Sequence, residues 1–136
     1  MKDLSITIIQ SDLYWENIAK NLAMFTTKIT SITTKTDVII LPEMFNTGFS
    51  MQSEKLAEKM DGKTVGWMKK IAKKSNAVIV GSLIITENNN YYNRLIWVQP
   101  DEKIYTYNKR HLFRMANEHH HFTAGATRLI VNYKGW

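Results

Sequence analysis

The chain has 136 residues, of which 44% are hydrophobic and 22% are charged, and it contains no cysteine. This composition excludes a disordered chain, a fibrous chain and a fold that depends on disulfides, and it is typical of one soluble globular domain. The net charge is +6, and the basic residues are scattered along the chain. Their densest group consists of Lys69, Lys70, Lys73 and Lys74. Such a group favours a solvated helix face over a nucleic-acid interface.

The amino-terminal residues bear on the location of the protein. Residues 1–3 lead directly into a strand-like pattern, without the basic segment and apolar stretch of a secretion signal. No apolar run approaches the ~20 residues that span a bilayer. The lack of cysteine fits a reducing compartment. We therefore expect a cytoplasmic protein without a membrane partner.

The first part of the chain alternates strand and helix patterns. Residues 5–10 alternate polar and β-branched side chains, which predicts a strand. Residues 37–41 are apolar on both faces, as in a central strand, and Pro42 ends that strand because it lacks an amide donor. Glu43 therefore emerges at a carboxyl end, where open α/β sheets usually place their ligands. Between these strands, apolar residues at steps of three and four predict a helix: Trp15, Ile18, Leu22, Phe25, Ile29 and Ile32.

The second part predicts one helix and a series of strands. The helix starts near Thr64, with apolar residues inward and lysines outward. Turn residues at 87–90 and at Pro100 connect strands as hairpins, and residues 110–127 form a polar loop. The predicted strands are residues 77–86, 91–98, 104–109 and 128–133. This order predicts an α/β fold, a mixed sheet with two helices that cannot cover both of its faces.

Three segments carry unusual polar groups at or near strand ends. Glu43 lies in LPEMFNTGF (residues 41–49), Lys109 in YNKRHLF (107–113) and Glu118 in ANEHHHFTAG (116–125). Two carboxylates and an ammonium at such positions are able to meet in one pocket. Composition alone favours ordinary exposed charges over such a pocket.

The motifs add a resemblance to a known family. LPEMFNTGF resembles the first signature of the nitrilase superfamily of carbon-nitrogen hydrolases, and YNKRHLF resembles the second. Glu118, seven residues before Gly125, is similar to the supporting glutamate of the family, and VNYKGW (131–136) resembles the stretch before its nucleophilic cysteine. The motifs occur in family order, the resemblance covers the whole chain, and it is closest to the omega-amidase branch.

The resemblance implies a fold and a mechanism. Glu43 is expected to be the general base, Lys109 the cation beside the oxyanion and Glu118 its supporting carboxylate, all around one water-poor cavity. The implied reaction is hydrolysis of the terminal amide of a small dicarboxylic acid monoamide, such as 2-oxoglutaramate or 2-oxosuccinamate, through a cysteine thioester. The implied protein is a homodimer of α-β-β-α sandwiches without metal or organic cofactor.

The same resemblance places the cysteine a few residues beyond Trp136. Residues 1–136 are then a single carbon-nitrogen hydrolase domain, truncated on its carboxyl-terminal side and forming half of the sandwich with helices on one face. We expect this half to be inactive alone. The alternative is a non-catalytic fragment or pseudoenzyme that acts as a protein-interaction module through its open sheet face.

Several further residues are expected to bind substrate: Phe45, Asn46, Thr47, His119 and His120. The first three follow Glu43 closely enough to wall its pocket, although a simple connecting turn explains them equally well. For the run 119–121 the resemblance favours a loop that lines the pocket. A metal site is disfavoured because adjacent imidazoles cannot easily reach one ion.

Two arginines near the second motif leave a further choice open. Arg110 and Arg114 carry planar guanidinium groups, which suit a substrate carboxylate. Surface salt bridges are the favoured use of both side chains.

Overall fold

The computed structural model describes residues 3–136 as a sheet with helices stacked on it. The strands are β1 (Ile6–Ile8), β2 (Val38–Ile40), β3 (Val78–Glu87), β4 (Asn90–Val98) and β5 (Ile104–Asn108). The helices are α1 (Ile18–Thr30), α2 (Ser53–Leu56) and α3 (Lys63–Ser75), followed by short 3-10 turns at Arg114–Ala116 and Glu118–His120. The short helix α2 carried no clear apolar period and was not predicted.

The sheet is mixed and its strands lie in chain order. β1, β2 and β3 are parallel neighbours, β4 pairs antiparallel with β3, and β5 pairs antiparallel with β4. The reversal between β3 and β4 needs only Asn88 and Asn89, whose φ angles of 50° and 60° are the left-handed values that a type I′ hairpin requires. The predicted mixed sheet is confirmed.

The helices α1 and α3 pack side by side on one face of the sheet, as predicted. Phe25 of α1 and Met68 of α3 are fully buried against Ile39 and Leu83 of the central strands. The lysines of α3 lie on its other side, and Lys70, Lys73 and Lys74 are exposed. None of the helices within residues 3–136 has the length and apolar character needed to cross a bilayer.

Helix α1 begins later than the apolar stripe predicted. Asn17 caps it, because its side-chain oxygen accepts a hydrogen bond from the amide of Lys20 at 3.1 Å, which satisfies one of the free amides of the first turn. Trp15 therefore lies before the helix and is 64% exposed. Its assignment to the buried stripe was wrong.

The face of the sheet opposite the helices is only partly covered. Ile6 and Ile8 of β1 are 51% and 73% exposed, and they sit beside β2 on this face. Farther along, the ring of Tyr133 packs on Trp97 with centroids 5.7 Å apart, and Lys134 pairs with Asp37. Two helices were predicted to be unable to cover both faces of the sheet, and within residues 3–136 this second face is indeed open around Ile6 and Ile8.

The strand predicted at residues 128–133 is absent from the structure, so that prediction was wrong. Alternation of apolar and polar residues can produce a strand only where a neighbouring backbone completes the hydrogen-bond ladder. This segment instead crosses the face of the sheet and makes a turn, in which the amides of Tyr133 and Trp136 donate to each other's carbonyl oxygens.

Candidate functional site

Glu43 lies in the loop that follows β2, and neighbouring β3 fixes this loop. The amide of Met44 donates to the hydroxyl of Ser82 at 2.9 Å, and the amide of Phe45 donates to the carbonyl of Ser82 at 3.3 Å. Met44 has a φ of 47°, an uncommon conformation for a residue other than glycine. The loop reverses there, so that Phe45 enters the core while Glu43 stays at the open cleft.

Lys109 follows β5 and is held on both sides by its backbone. Its amide donates to the carbonyl of Asn93 in β4, and its own carbonyl accepts from the amide of Gly125, both at 2.9 Å. Gly125 has no side chain at a point where a Cβ would lie 2.2 Å from the carbonyl oxygen of Asn108. The close approach of this loop to β5 therefore requires glycine.

Glu118 opens the second 3-10 turn and has no exposed surface. A buried carboxylate is costly unless it is paired and hydrogen-bonded. Its Oε2 accepts a hydrogen bond from the amide of Phe113 at 2.6 Å and pairs with Nζ of Lys109 at 2.9 Å. Its Oε1 accepts from Nδ2 of Asn93 at 3.0 Å.

The structure brings Glu43, Lys109 and Glu118 into direct contact. Nζ of Lys109 lies 2.8 Å from Oε1 of Glu43 and 2.9 Å from Oε2 of Glu118. Asn93 closes the group into a ring, since its Nδ2 donates to Oε1 of Glu43 at 2.6 Å as well as to Glu118. One ammonium and one amide thus hold two carboxylates together.

The charged forms stabilise one another. Burial tends to lower the pKa of Lys109, but hydrogen bonds to Glu43 and Glu118 and their negative charges outweigh it and leave the pKa raised. Burial tends to raise the pKa of Glu118, but hydrogen bonds from Asn93, the Phe113 amide and Lys109 outweigh it and leave the pKa lowered. Lys109 and Glu118 are therefore an ion pair at neutral pH.

The three charged side chains of the site differ in their exposure to solvent. The side chains of Glu43, Lys109 and Glu118 are 49%, 26% and 0% exposed. Glu43 and Lys109 border a cleft of about 640 Å³ with apolar walls that include Phe49, Leu112 and Phe113. The expected water-poor cavity is thus not completed by residues 3–136, because its Glu43 side faces solvent.

Three of the expected substrate-binding residues lie away from this cleft. Phe45, Asn46 and Thr47 are at most 1% exposed. The ring of Phe45 packs edge-on against Phe25 in the main core, and Nδ2 of Asn46 donates to the side chain of Thr64 at the start of α3. In the structure these residues anchor the loop under Glu43, as a connecting turn would.

The histidines of the run 119–121 also lie outside the walls of the cleft, whereas His111 lines it. The rings of His119 and His120 are 4.0 Å apart. Burial, followed by the charges of His120 and Arg114, lowers the pKa of His119. Within residues 3–136 no cluster of three His, Cys, Asp or Glu is arranged to hold a metal ion.

The two arginines differ in their placement. Arg114 lines the cleft together with Glu43 and Lys109, is exposed, and forms no ion pair within the described chain. Arg110 does not line the cleft, and its amide donates to the hydroxyl of Tyr107.

Sequence reasoning missed two residues that the structure places at the site. Asn93 joins both carboxylates, and Phe49 lies 5.1 Å from Nζ of Lys109, in the range of a cation–π contact. Phe49 belongs to the motif LPEMFNTGF, and Asn93 lies in the predicted strand 91–98. The alternation of β4 around Asn93 was the available signal, since it puts a polar amide on an otherwise apolar face.

Comparison with known proteins gives one consistent picture. The model of the carbon-nitrogen hydrolase family matches residues 5–131. The chain is 41% identical to omega-amidase YafV of Escherichia coli K12 over its whole length, which is 52% of that protein. It is 28% identical to 2-oxoglutaramate amidase of Bacillus subtilis over 90% of this chain and 48% of the relative.

A solved structure matches over the whole chain as well. XC1258 from Xanthomonas campestris, described as a CN-hydrolase superfamily protein with an arsenic adduct in its active site, superposes with a TM-score of 0.96 at 40% identity. The match covers 100% of this chain and 51% of XC1258. The chain thus spans about half the length of each of these three proteins.

Proposed function

Because the chain belongs to the carbon-nitrogen hydrolase family, we propose that it forms the amino-terminal half of an amidase for small dicarboxylic acid monoamides. The observation that supports this most directly is the ammonium of Lys109 held between two carboxylates at 2.8 and 2.9 Å beside an open cleft. The names of two relatives, omega-amidase and 2-oxoglutaramate amidase, support the substrate class.

The proposed base is Glu43. Its Oε1 is engaged by Lys109 and Asn93, whereas its Oε2 has no hydrogen-bond partner within residues 3–136. A thiol attacks as its thiolate, so a base must take its proton. The chain has no cysteine, so the proposal assigns the thiol to residues beyond Trp136. The proton passes to Glu43 as sulfur attacks the amide carbon.

The proposed oxyanion donor is Lys109. Its ammonium has three hydrogens, and two of them are directed to Glu43 and Glu118. The third is left for the negative oxygen of the tetrahedral intermediate, and a donor fixed in advance stabilises that charge more than it stabilises the planar amide. Glu118 holds Lys109 in place and charged.

The reaction then completes in two steps. The carbon–nitrogen bond breaks, nitrogen takes the proton from Glu43 and leaves as ammonia, and the acyl group stays on sulfur as a thioester. Glu43 next takes a proton from water, whose oxygen attacks the thioester. The carbon–sulfur bond breaks, the carboxylic acid leaves, and the departing sulfur takes the proton from Glu43, which restores the thiol and the carboxylate.

The experiment compares two products of the same gene. The full-length reading frame and residues 1–136 are purified, and ammonia release from 2-oxoglutaramate is measured, with a dipeptide amide as control substrate. We expect activity on 2-oxoglutaramate from the full-length product and none from residues 1–136. A full-length protein that releases no ammonia from monoamides, although its thiol is present, contradicts the proposal.

The proposal also covers the location, the oligomeric state and the cofactor requirement of the full-length protein. By resemblance and from the sequence, it is expected to be a cytoplasmic homodimer without a cofactor. Sedimentation of the purified protein and fractionation of cells measure the first two properties.

A second candidate function has one observation in its favour. Ile6 and Ile8 expose large apolar side chains on the uncovered sheet face, and such a face suits a partner protein. If the gene ends at Trp136, the chain acts as a non-catalytic interaction module. The DNA sequence downstream of codon 136 separates the two functions.

A further inference from the structure

We infer that Asn93 is a positioning residue of the site, whose side-chain amide sets the separation and orientation of Glu43 and Glu118 around Lys109. This inference rests on the proposed function for its meaning in catalysis. It concerns a residue outside the expected set of glutamates and lysine, and contacts within the described chain carry it.

The geometry of Asn93 is that of a bridge. A side-chain amide nitrogen has two hydrogens, and Nδ2 of Asn93 sends one to Glu43 at 2.6 Å and the other to Glu118 at 3.0 Å. The residue is 2% exposed, so water competes little for these bonds. Neither hydrogen is left over.

The backbone around Asn93 is rigid. It lies inside β4, opposite Ile84 of β3, and its carbonyl accepts the amide of Lys109 at 2.9 Å. Glu43, in contrast, stands on a loop with its side chain half exposed. A fixed donor in an interior strand is therefore suited to hold the carboxylate of a side chain that is half exposed at the cleft.

The charges explain why a neutral double donor is needed. Two carboxylates face one ammonium, and like charges at short distance favour retention of a proton by one of them. The amide of Asn93 opposes such proton retention, because its two hydrogen bonds favour the ionised form of each carboxylate. The amide is neutral, so it adds no charge to the group. Tyr107 is the other titratable group beside Asn93 in the adjoining cavity, and the rest of that wall is largely apolar.

The alternative is that Asn93 serves only to satisfy buried groups. Asn21 provides a matched comparison, since it is fully buried and its Nδ2 donates to the carbonyls of Tyr14 and Asn46, away from the cleft. A purely structural role predicts that equal changes at the two asparagines have equal effects.

The test uses the full-length protein with the substitutions Asn93→Asp, Asn93→Ala and Asn21→Asp. Asn93→Asp keeps the shape but replaces both donors with a third carboxylate. We expect kcat/KM for 2-oxoglutaramate to fall about 10²-fold, as misplaced reacting groups do. We expect the acid limb of the pH profile to move up by about one unit. Asn21→Asp is expected to lower the melting temperature without moving that limb.

A second readout does not depend on amidase activity. In protein labelled with ¹³C at the glutamate carboxyl carbons, the Glu118 signal is assigned with Glu118→Gln and followed against pH. We expect the pKa of Glu118 to be higher in both Asn93 variants than in the wild type. If the wild type hydrolyses no amide but this shift appears, the proposed function fails and the positioning role stands.

Three results overturn the inference. One is an unchanged pH profile and Glu118 titration in both variants. Another is a loss of melting temperature in the Asn93 and Asn21 variants with no difference in pH behaviour. The last is failure of both Asn93 variants to fold, because Asn93 would then act in folding.

Discussion

At the scale of single residues, the site depends on how two carboxylates share one ammonium. Glu43 contributes a side chain that is half exposed, while Glu118 contributes one that is fully buried. The exposed carboxylate keeps one oxygen available for a proton, and the buried one is engaged on both oxygens. The two glutamates are therefore expected to respond differently to substitution.

Replacement of Glu43 by Gln is expected to lower the turnover of the full-length protein by about two or more orders of magnitude, as loss of a general base does. The amide is nearly isosteric, so circular dichroism and the melting temperature should change little. Ammonia release measures the rate. Glu54→Gln, at an exposed position on α2, serves as the control, and an active Glu43→Gln protein removes Glu43 from its role as base.

Replacement of Lys109 by Ala is expected to suppress acylation even where substrate still binds, because the oxyanion loses its cation. Mass spectrometry of the full-length protein mixed with substrate detects the thioester. Lys70→Ala, on the exposed side of α3, is the matched control. Thioester formation at the wild-type rate in Lys109→Ala contradicts the assignment.

Glu118 is expected to make stability depend on acidity. Its pKa is lowered in the folded protein from an ordinary value near 4.5, so its stabilising contribution is present above that value and lost as pH falls through the folded pKa. Chemical denaturation of the full-length protein and of Glu118→Gln between pH 7 and pH 3 measures this. The difference in unfolding free energy should shrink with falling pH, and a constant difference contradicts the prediction.

At the scale of elements, loops place the charged groups and close backbone contacts hold the loops. The loop after β2 rests on Ser82, and the loop after the second 3-10 turn rests on the end of β5 through Gly125. Glycine is required where these loops meet the sheet. At Gly81 a Cβ would lie 2.6 Å from the buried ring of Phe45, and at Gly125 it would meet backbone.

Replacement of Gly125 by Ala is expected to destabilise the full-length protein by about 1–3 kcal/mol, because the new Cβ would lie 2.2 Å from a backbone oxygen. The loop must move, which weakens the hydrogen bond to Lys109 and lowers activity. Gly66→Ala is the control, since nothing lies within 4 Å of its Cβ. That change should stabilise α3 by up to about 1 kcal/mol. Equal melting temperatures for the two variants contradict this account.

At the scale of the whole molecule, the described chain is a sheet with one finished face and one unfinished face. The helices bury the main core on one side. On the other side Ile6 and Ile8 are exposed, and Glu43 faces solvent at the cleft. The expected second half of the sandwich would cover this face and close the site.

Residues 1–136 expressed alone are expected to self-associate and to bind an apolar dye more strongly than the full-length protein, because apolar patches left open favour association. Light scattering and dye fluorescence measure these properties. The double substitution Ile6→Ser and Ile8→Ser should reduce both signals in the short chain. Equal dye binding by the short and full-length proteins contradicts the prediction.

Local patterns in the chain were sufficient for most of its elements. The strand ended by Pro42, the helix that begins at Lys63 and the hairpin at Asn88 and Asn89 each depend on neighbouring residues, so period and turn chemistry predicted them. Motif resemblance then pointed to Glu43, Lys109 and Glu118. Their catalytic roles stay predictions, while their contact is a feature of the fold.

Other features depend on contacts between residues far apart in the chain, so local sequence patterns could not predict these features. Residues 128–133 have strand-like alternation but lack a partner backbone, and Trp15 fits the helical period but precedes the cap. Phe45 and Asn46 adjoin Glu43 in sequence yet point into the core. The bridge formed by Asn93 joins groups 50 and 25 residues away, and only the folding of β4 between its neighbours brings their atoms within hydrogen-bonding distance.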